Sequence, residues 1–266
     1  MASDLRYEYK YFVPMTKIDM LRDMIRPFTV LDKFADTQPE KHYTVRSIYF
    51  DTPDFECYWT KIAGNKHRNK VRLRGYNLED GSNIVFMEIK RKYEAPILKN
   101  RAPLLFEDFK KVLRGENKLE DFLRNDGKVK DALDNGKRFF YNMYARKMKP
   151  VVVVIYEREP FLSKYYNPDN NLRITFDKNL RGCPYPTIDE LFIEKHIQHS
   201  LRGHFILEVK FNQFYPSWMK TIIGTLGLHK ESASKYCMCI DSQSMIKTGN
   251  RFDTLSHGKL FRDYNI

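Results

Sequence analysis

The sequence contains few cysteines, and their spacing predicts neither a zinc site nor a disulfide framework. Four occur in 266 residues, at positions 57, 183, 237 and 239, and this spacing fits no zinc-ligand pattern. Cys237 and Cys239 are two positions apart, so they do not face each other on a helix. Reduced thiols in a cytoplasmic protein are therefore the expected state.

Long hydrophobic runs are also missing. The longest such run, VVVVIY at 151–156, has the length of one strand, whereas a membrane-spanning helix needs roughly 18 apolar residues. The opening segment MASDLRYEYK is polar, unlike a signal peptide. We therefore expect no signal peptide and no membrane span in this chain.

A GxxxxGK[ST] motif is also absent, which argues against a P-loop NTPase.

Negative charge is scarce relative to positive charge. Lysine and arginine number 46 against 34 aspartates and glutamates, giving a net charge of +12. This excess indicates an anionic partner, such as nucleic acid, nucleotide, polyphosphate or a membrane surface.

A hydrophobic fraction of 42% suffices for a sizeable core. Without repeats or a clear linker, we predict one domain over residues 1–246 and a peripheral polar tail over 247–266.

Charged and apolar side chains alternate in two neighbouring stretches, KVRLRGY (70–76) and IVFMEIKRKY (84–93). The charged positions are Lys70, Arg72, Arg74, Glu88, Lys90 and Lys92. Period-two alternation predicts strands with one apolar and one charged face, and Asp80-Gly81 between them predicts a hairpin turn. For a single hairpin, an ordinary sheet with one solvated face explains the pattern equally well.

The same alternation recurs in other predicted strands, at 6–14, 151–161, 172–180 and 205–211. Their charged positions include Arg6, Glu8, Lys10, Arg158, Arg173, Asp177, Glu208 and Lys210. Helices are predicted at 16–28, 53–64 and 99–115, at 129–147 with a break at Asn135-Gly136, at 217–227 and at 234–246. Their apolar stripes need a sheet surface to cover.

If helices cover the apolar faces, the charged faces either meet open water or point into a closed sheet. An antiparallel barrel of about eight strands has room for side chains and one small ligand. Burying cations inside such a barrel is energetically unfavourable unless they are paired, so a cluster of cations there implies a bound anion. Replacing Arg72 with alanine is therefore expected to raise the stability of the protein by relieving repulsion between like charges. Glu8, Glu88 and Glu208 partly neutralise the cations and are candidate ligands of a divalent metal.

Eight segments carry a family resemblance: RYEYKYFV, SIYFDT, KVRLRGY, MEIKRK, YEREPF, LRITFD, ILEVKF and SKY. They follow one another as in the VTC polyphosphate polymerase domain, one of the triphosphate tunnel metalloenzymes, alongside the CYTH triphosphatases. The resemblance runs from Arg6 to Ile240. It implies an α+β fold, a closed eight-stranded antiparallel β-barrel with helices packed on its outside, which binds the triphosphate of ATP and guides out a growing polyphosphate chain.

By the motifs of that family, the resemblance implies phosphate ligands at Lys10, Lys61, Lys92, Arg158, Arg173 and Ser234, with Arg72, Arg74, Lys90 and Lys235 in catalytic roles. Lys210 joins the phosphate ligands from its position beside Glu208, and Tyr156, on the face of Arg158, is a candidate nucleotide-binding residue. Glu208 matches the metal-binding glutamate, with Mn²⁺ or Mg²⁺ as the expected cofactor. A lysine usual two positions before the serine is Ser232 here, and Lys230 is close enough to replace it.

Three functions stay open. The first is transfer of the γ-phosphoryl group of ATP to polyphosphate with release of ADP. The second is a metal-dependent triphosphatase, in which Glu8 or Glu88 acts as the base for water. The third is a non-catalytic polyanion-binding module. Nucleic acid is not an expected partner, because carboxylates alternate with the basic residues. His196, His199 and His204, near Glu194, are interpreted as ordinary histidines because no zinc spacing is met.

Overall fold

The alternating segments form strands in the structure, which is a computed structural model. It describes residues 6–77, 83–93, 97–123, 131–165, 167 and 170–246, with side chains for all of these except 92, 93, 97 and 98. The predicted turn at Asp80-Gly81 and the tail over 247–266 lie outside these residues. Ten strands lie within them: β1 (Tyr7–Pro14), β2 (Thr29–Leu31), β3 (Tyr43–Asp51), β4 (His67–Tyr76), β5 (Ile84–Tyr93), β6 (Ile97–Leu105), β7 (Lys149–Ser163), β8 (Arg173–Pro184), β9 (Gln198–His199) and β10 (His204–Phe211).

The α-helices of the described residues are α1 (Ile18–Ile25), α2 (Lys33–Asp36), α3 (Glu56–Ile62), α4 (Phe106–Leu113), α5 (Leu119–Phe122), α6 (Ala132–Ala145), α7 (Ser217–Thr225) and α8 (Lys235–Ser242). None of them combines the length and the apolar character that crossing a membrane requires. Two compact units result. The first takes Met1–Tyr43, Tyr156–Arg181 and His199–Ile266, and the second takes Thr44–Ile155 and Gly182–Gln198. A single domain over residues 1–246 stays a prediction.

In the first unit, antiparallel pairing lines up the alternating faces of β1, β10 and β8. Lys10 is opposite Glu208, which is opposite Thr175. The side chains of the other parity form a core with α1 and α7, and its buried members are Tyr11, Val13, Ile18, Leu21, Ile25, Leu172, Ile174, Phe176, Phe205, Leu207, Val209, Phe211, Met219, Ile222 and Leu226. Because this face is filled by helices, the charged side chains lie on the opposite face of these strands.

In the second unit, β4 pairs antiparallel with β3 and β5, and β5 pairs with β6. Val71 is opposite Ile89 and Leu73 is opposite Met87, and all four are buried. Helices α4 and α6 supply further core side chains, and the rings of Phe109 and Phe139 contact each other edge to face. Lys70, Arg72, Arg74, Glu88 and Lys90 fall on the face away from this core, whereas Arg91 has the parity of Ile89.

The prediction of an antiparallel α+β fold is confirmed, but the prediction of a closed eight-stranded barrel is wrong. The strand order is β1-β10-β8-β7-β3-β4-β5-β6, with β2 pairing with β7 and β9 pairing with β8. Within the described residues, no pairing joins the end strands β1 and β6, and the sheet has ten strands. Alternation indicates which face a side chain joins, whereas closure depends on strand tilt and stagger, which the pattern does not contain.

The predicted helix at 99–115 is wrong in its first half. Residues up to Leu105 belong to β6, and only Phe106–Leu113 is helical. In β6, Lys99 is opposite Lys90, and Arg101 is opposite Glu88. Strand β6 is the end strand of the order and has a neighbour on one side only. It can therefore contain Pro103, which has no backbone N–H group to donate to a neighbouring strand.

The predicted helix break at Asn135-Gly136 is also wrong, because both residues lie inside α6. A Cβ atom on Gly136 would lie 2.8 Å from Leu119 Cδ2 and 3.1 Å from Leu123 Cδ1. The glycine therefore allows α6 to pack closely against α5, and close packing outweighs its low helix propensity.

Gly75 in β4 is a second close approach and gives a stability prediction. A Cβ atom there would lie 2.6 Å from Phe192 Cζ, so Gly75→Ala should lower the free energy of unfolding by about 1–3 kcal/mol through overpacking. The control is Gly224→Ala in α7, where nothing lies within 4 Å of the added atom. That change should raise stability by up to about 1 kcal/mol through helix propensity. Urea denaturation of both variants measures the contrast, and equal effects would contradict it.

Candidate functional site

A cluster of buried charges occupies the face of the first unit opposite its core, and we name it the first cationic face. Its cations surround two carboxylates, Glu208 of β10 and Asp177 of β8. Both carboxylates are buried, and their side chains are 5% and 0% exposed. The cations of the cluster are Lys10, Arg158, Lys210 and Lys235. All four are basic residues that the sequence selects, and the structure brings them together.

Glu208 contacts all four cations of the first cationic face. Its Oε1 lies 2.7 Å from Lys235 Nζ and 3.4 Å from Lys10 Nζ. Its Oε2 lies 2.8 Å from Lys210 Nζ and 3.5 Å from Arg158 Nη2. Burial alone would raise the pKa of Glu208, but attraction to Lys210, Lys235 and the other two cations outweighs it and holds the pKa well below its ordinary value. Glu208 is therefore ionised at neutral pH.

Asp177 is a member of this face that the sequence interpretation did not select as a site residue. It accepts two hydrogen bonds from Arg158, both of 2.7 Å, and its Oδ2 lies 2.6 Å from Lys235 Nζ. Its pKa is lowered, because Arg158 and Lys235 overcome the effect of burial. In the sequence, only its position on the charged side of β8 indicates that Asp177 belongs to this face. The sequence does not reveal that a carboxylate holds Arg158 in a two-pronged contact.

Lys235 begins α8, and Ser234 is the N-cap residue of that helix. Ser234 Oγ accepts a hydrogen bond from Cys237 N at 3.4 Å, so its hydroxyl caps the helix. The Lys235 side chain is only 9% exposed. Burial lowers its pKa, but Asp177 and Glu208 overcome this and raise the pKa above its ordinary value. Lys235 is thus a buried, charged lysine and not a lysine on a solvated helix end.

Tyr156 lies beneath two of these cations. Its ring centroid is 4.8 Å from Lys235 Nζ and 5.2 Å from Arg158 Cζ. The residue is 3% exposed. In this structure the ring therefore makes cation–π contacts inside the cluster.

Lys10 links Glu208 to a second glutamate on β1. Its Nζ lies 3.0 Å from Glu8 Oε1 and also donates to the carbonyl oxygen of Ala233 at 3.0 Å. Burial opposes its charge, but Glu8 and Glu208 raise its pKa. Because Glu8 and Glu208 both contact one ammonium group, two carboxylates lie close together on this face.

Arg173 and Lys230 have other neighbours. Arg173 Nη2 lies 3.8 Å from Asp32 Oδ2 and 3.5 Å from the hydroxyl of Tyr43. Lys230, expected to replace the lysine missing at position 232, lies 3.8 Å from the ring centroid of Tyr9. That ring packs against the apolar core.

A second cluster, here called the second cationic face, lies in the second unit around Glu88 of β5. Glu88 is 1% exposed and contacts Arg72 at 2.7 Å, Lys99 at 2.8 Å, Arg101 at 3.4 Å and Arg74 at 3.8 Å. Burial would raise the pKa of Glu88, but Arg72, Arg74 and Lys99 lower it. One carboxylate thus faces four cations, so this cluster keeps an excess of positive charge.

Two of those four cations, Lys99 and Arg101, were not selected from the sequence. Both lie on β6, in the segment predicted to be helical, and the strand register brings them beside Glu88 and Lys90. In the sequence, only the alternation of Lys99 and Arg101 with Asn100 and Ala102 indicates that they belong to a charged strand face. Tyr49 completes the cluster by accepting a 2.8 Å hydrogen bond from Arg72. Burial would raise the pKa of Tyr49, but Arg72, Lys70 and Arg74 lower it.

The other predicted site residues of the second unit are Lys61, Lys90 and Lys92. Lys90 is opposite Lys70 and Lys99 in the strand register. Lys61 is in the last turn of α3. Lys92 belongs to β5, but its side chain lies outside the described part of the chain.

The predicted metal ligands divide between the units, with Glu8 and Glu208 in the first and Glu88 in the second. Among the residues that the structure describes, no group of three or more histidine, cysteine, aspartate or glutamate side chains is placed to hold a metal ion. The pair of Glu8 and Glu208 still fits Mg²⁺ or Mn²⁺, because such ions prefer oxygen ligands, and Mg²⁺ commonly takes only one or two carboxylates besides phosphates and water.

The second cationic face corrects the expected effect of Arg72→Ala on stability. Arg72 is an ion-pair partner of buried Glu88 and a donor to Tyr49, so its removal should lower the free energy of unfolding by about 2 kcal/mol. Arg68→Ala, in the same strand, is the control because Arg68 donates to the exposed carbonyl oxygen of Asn65. Chemical denaturation at neutral pH measures both. A more stable Arg72→Ala would restore the view that the arginines mainly repel one another.

Comparisons with known proteins assign the family. The chain matches the family model described as the VTC domain over residues 5–243. It is 29% identical over 216 residues to vacuolar transporter chaperone complex subunit 4 of Schizosaccharomyces pombe, an alignment that covers 68% of this chain and 29% of that protein. The chain thus spans less than a third of the length of this relative.

A solved structure from Bacillus halodurans, described as a candidate adenylate cyclase, shares 12% identity at a TM-score of 0.46, over 88% of this chain and 96% of that chain. A score this low supports no further argument. The match to the family model extends over most of the sequence, from residue 5 to residue 243. The chain therefore belongs to the VTC domain family.

Proposed function

We propose that the chain is a polyphosphate polymerase that transfers the γ-phosphoryl group of ATP to a growing polyphosphate chain and releases ADP. The observation that carries this proposal is the first cationic face, where four partly buried cations converge on the buried carboxylate of Glu208. Convergent lysine and arginine donors suit the closely spaced oxygens of a polyphosphate. Membership of the VTC domain family supports the same substrate class.

Phosphoryl transfer depends on positioning and charge neutralisation more than on covalent help. Arg158 provides a planar pair of donors, and Lys235 provides a compact charge beside it. In the structure both contact Asp177. We propose that phosphate oxygens replace part of these carboxylate contacts, and that Arg72, Arg74 and Lys90 bind phosphates in the second unit. The attacking phosphate oxygen is already ionised at neutral pH, so this reaction needs no general base.

Glu8 and Glu208 are the residues that would hold Mn²⁺ or Mg²⁺. When bound, such an ion supplies additional positive charge to phosphate oxygens. The residues of the chain do the rest. Lys10, in contact with both glutamates, keeps their carboxylates together, and Lys210 and Lys235 retain donors for the substrate.

A tunnel-type triphosphatase is the second candidate. The observation in its favour is that the Glu8 side chain is 17% exposed beside Lys10, which suits a base that meets water. Glu88 is less suited to this role, because it is 1% exposed and contacts four cations.

One assay separates these functions. The purified protein is incubated with ATP and Mn²⁺, with and without a short polyphosphate primer, and the products are resolved on a urea gel beside an ADP assay. Long polymer with stoichiometric ADP supports the polymerase. Free phosphate alone would identify a triphosphatase, and unchanged ATP would leave only polyanion binding.

A further inference from the structure

A cavity of about 300 Å³ in the second unit is lined by basic side chains and is separate from the second cationic face. Its lining comes from α3, the first residues of β4, the end of β5 and the residue that follows α6: Glu56, Cys57, Thr60, His67, Arg68, Asn69, Arg91 and Arg146. A volume of this size is at the lower end of small-ligand pockets.

Three of the four strand residues that line the cavity, His67, Asn69 and Arg91, lie on the other side of the strands from the second cationic face, whereas Arg68 has the parity of Arg72. Asn69 and Arg91 are opposite each other in the register of β4 and β5, one position along from the pair Lys70 and Lys90. Because side chains alternate between the two faces of a strand, Asn69 and Arg91 point away from the face that carries Arg72 and Glu88. Most of the lining that β4 and β5 contribute therefore lies outside the site proposed for ATP and polyphosphate.

The charges of the lining favour an anion. Three arginines face one carboxylate, that of Glu56, which contacts Arg146 at 2.5 Å and is itself 55% exposed. Cys57 contributes no negative charge, because burial, helped by Asp51, raises the pKa of its thiol. An excess of guanidinium groups around a small cavity is the arrangement that binds phosphate oxygens through paired N–H donors.

Arg91 supplies the most specific observation. Its Nε is buried and has no hydrogen-bond partner in the described structure. A buried N–H group without an acceptor is unfavourable, and native proteins usually satisfy it with protein, water or ligand. A ligand oxygen in this cavity would supply the missing acceptor.

Hydrogen bonds to Asp51 hold the part of the cavity lining that comes from α3. The buried carboxylate of Asp51 accepts hydrogen bonds from Cys57 N at 2.9 Å and Tyr58 N at 3.0 Å. This fixes the start of α3 against the end of β3. Thr60 and Glu56 of the same helix therefore have defined positions at the cavity.

We propose that this cavity is a binding site for a small phosphate-bearing anion, held by Arg68, Arg91 and Arg146 and distinct from the first and second cationic faces. The three guanidinium groups supply the donors, and Glu56 holds Arg146 in place until the anion arrives. The cavity is too small for a polymer to lie within it, so the ligand is a short phosphate compound, with inorganic pyrophosphate as the simplest probe.

The test uses a signal that only this cavity changes. Arginine Nε–H resonances are recorded by NMR during titration with pyrophosphate, and Arg91→Lys identifies the Arg91 signal. We expect a saturable shift of that signal in the wild-type protein and in Arg72→Met, where the second cationic face is impaired. In Arg146→Met the apparent dissociation constant should rise at least tenfold.

The matched control is Arg138→Met, which removes the same charge from an exposed position of the helix that precedes Arg146. It should titrate like the wild type, and thermal unfolding verifies that each variant is folded. An Arg91 signal that does not move, or that drifts without saturation, would overturn the proposal. So would an Arg146→Met titration equal to that of Arg138→Met. Loss of the shift in Arg72→Met would assign the binding to the second cationic face instead.

Discussion

Replacing Glu208 with glutamine should lower the free energy of unfolding by about 3–5 kcal/mol and nearly abolish turnover of ATP. The stability loss follows because the change leaves Lys10, Arg158, Lys210 and Lys235 without the carboxylate that they share. Turnover should fall because the metal would lose its buried anionic ligand. Urea denaturation measures the first effect, and ADP release with Mn²⁺ measures the second.

The control is Asp23→Asn, which removes a carboxylate from a surface ion pair with Arg26. Asp23 is 64% exposed there, so its loss should change stability by less than about 1 kcal/mol. Adding tripolyphosphate should stabilise Glu208→Gln more than the wild type, because a bound anion replaces the missing charge. Full activity of the wild type in excess EDTA would contradict the metal requirement, and equal stability of the two variants would contradict the shared-carboxylate role.

The stability difference between wild type and Glu208→Gln should depend on pH in a defined direction. The pKa of Glu208 in the folded state lies well below the ordinary value of 4.5, because the surrounding cations outweigh burial. Its contribution is therefore complete above pH 4.5 and is lost as the pH falls from there towards the folded pKa. The difference measured by denaturation should therefore be smaller at pH 3 than at pH 7.

Lys235→Ala should reduce kcat for polymer synthesis by about 10²–10³-fold while changing ATP affinity only a few-fold. Removal of one preorganised donor to developing charge typically has an effect of this size. Lys235 is suited to that role, because its ammonium group is buried, charged and held between Asp177 and Glu208. An interaction that strengthens in the transition state affects kcat more than substrate affinity.

Two controls accompany this change. Lys220→Ala removes one charge from an exposed position of α7 and should leave kinetics unchanged. Lys235→Arg keeps the charge and should recover part of the activity. Binding is measured with a non-hydrolysable ATP analogue, and polymer is quantified on urea gels. Equal losses of affinity and kcat would mean that Lys235 serves only in binding, whereas normal kinetics would remove it from the site.

The sequence predicts which residues share a strand face but not which charges meet. Alternation places Lys10, Glu208 and Arg158 on charged faces, and the structure confirms those strands. The contact between Lys235 and Glu208 spans 27 positions and depends on where α8 packs. The sequence does not predict the role of Asp177, for a related reason. Its importance comes from the geometry of Arg158, which only the three-dimensional structure supplies.

The errors around β6 have a different origin. The helical periodicity of 106–113 is strong, and the helix predicted from it back to residue 99 includes residues whose own alternation is that of a strand. The predicted site therefore lacks Lys99 and Arg101, although both contact Glu88. Short elements such as β2 and β9, of three and two residues, contain too few positions to show any period.

The carboxylates that partly neutralise the two cationic faces affect how polyphosphate binding depends on ionic strength. A polyanion that binds exposed lysines and arginines displaces mobile salt ions, and its affinity falls steeply as salt is added. Here the groups displaced would be Glu208, Asp177 and Glu88, which are tethered to the chain and gain little entropy on release. Polyphosphate affinity should therefore vary with the logarithm of salt concentration more weakly than the number of contacting cations suggests.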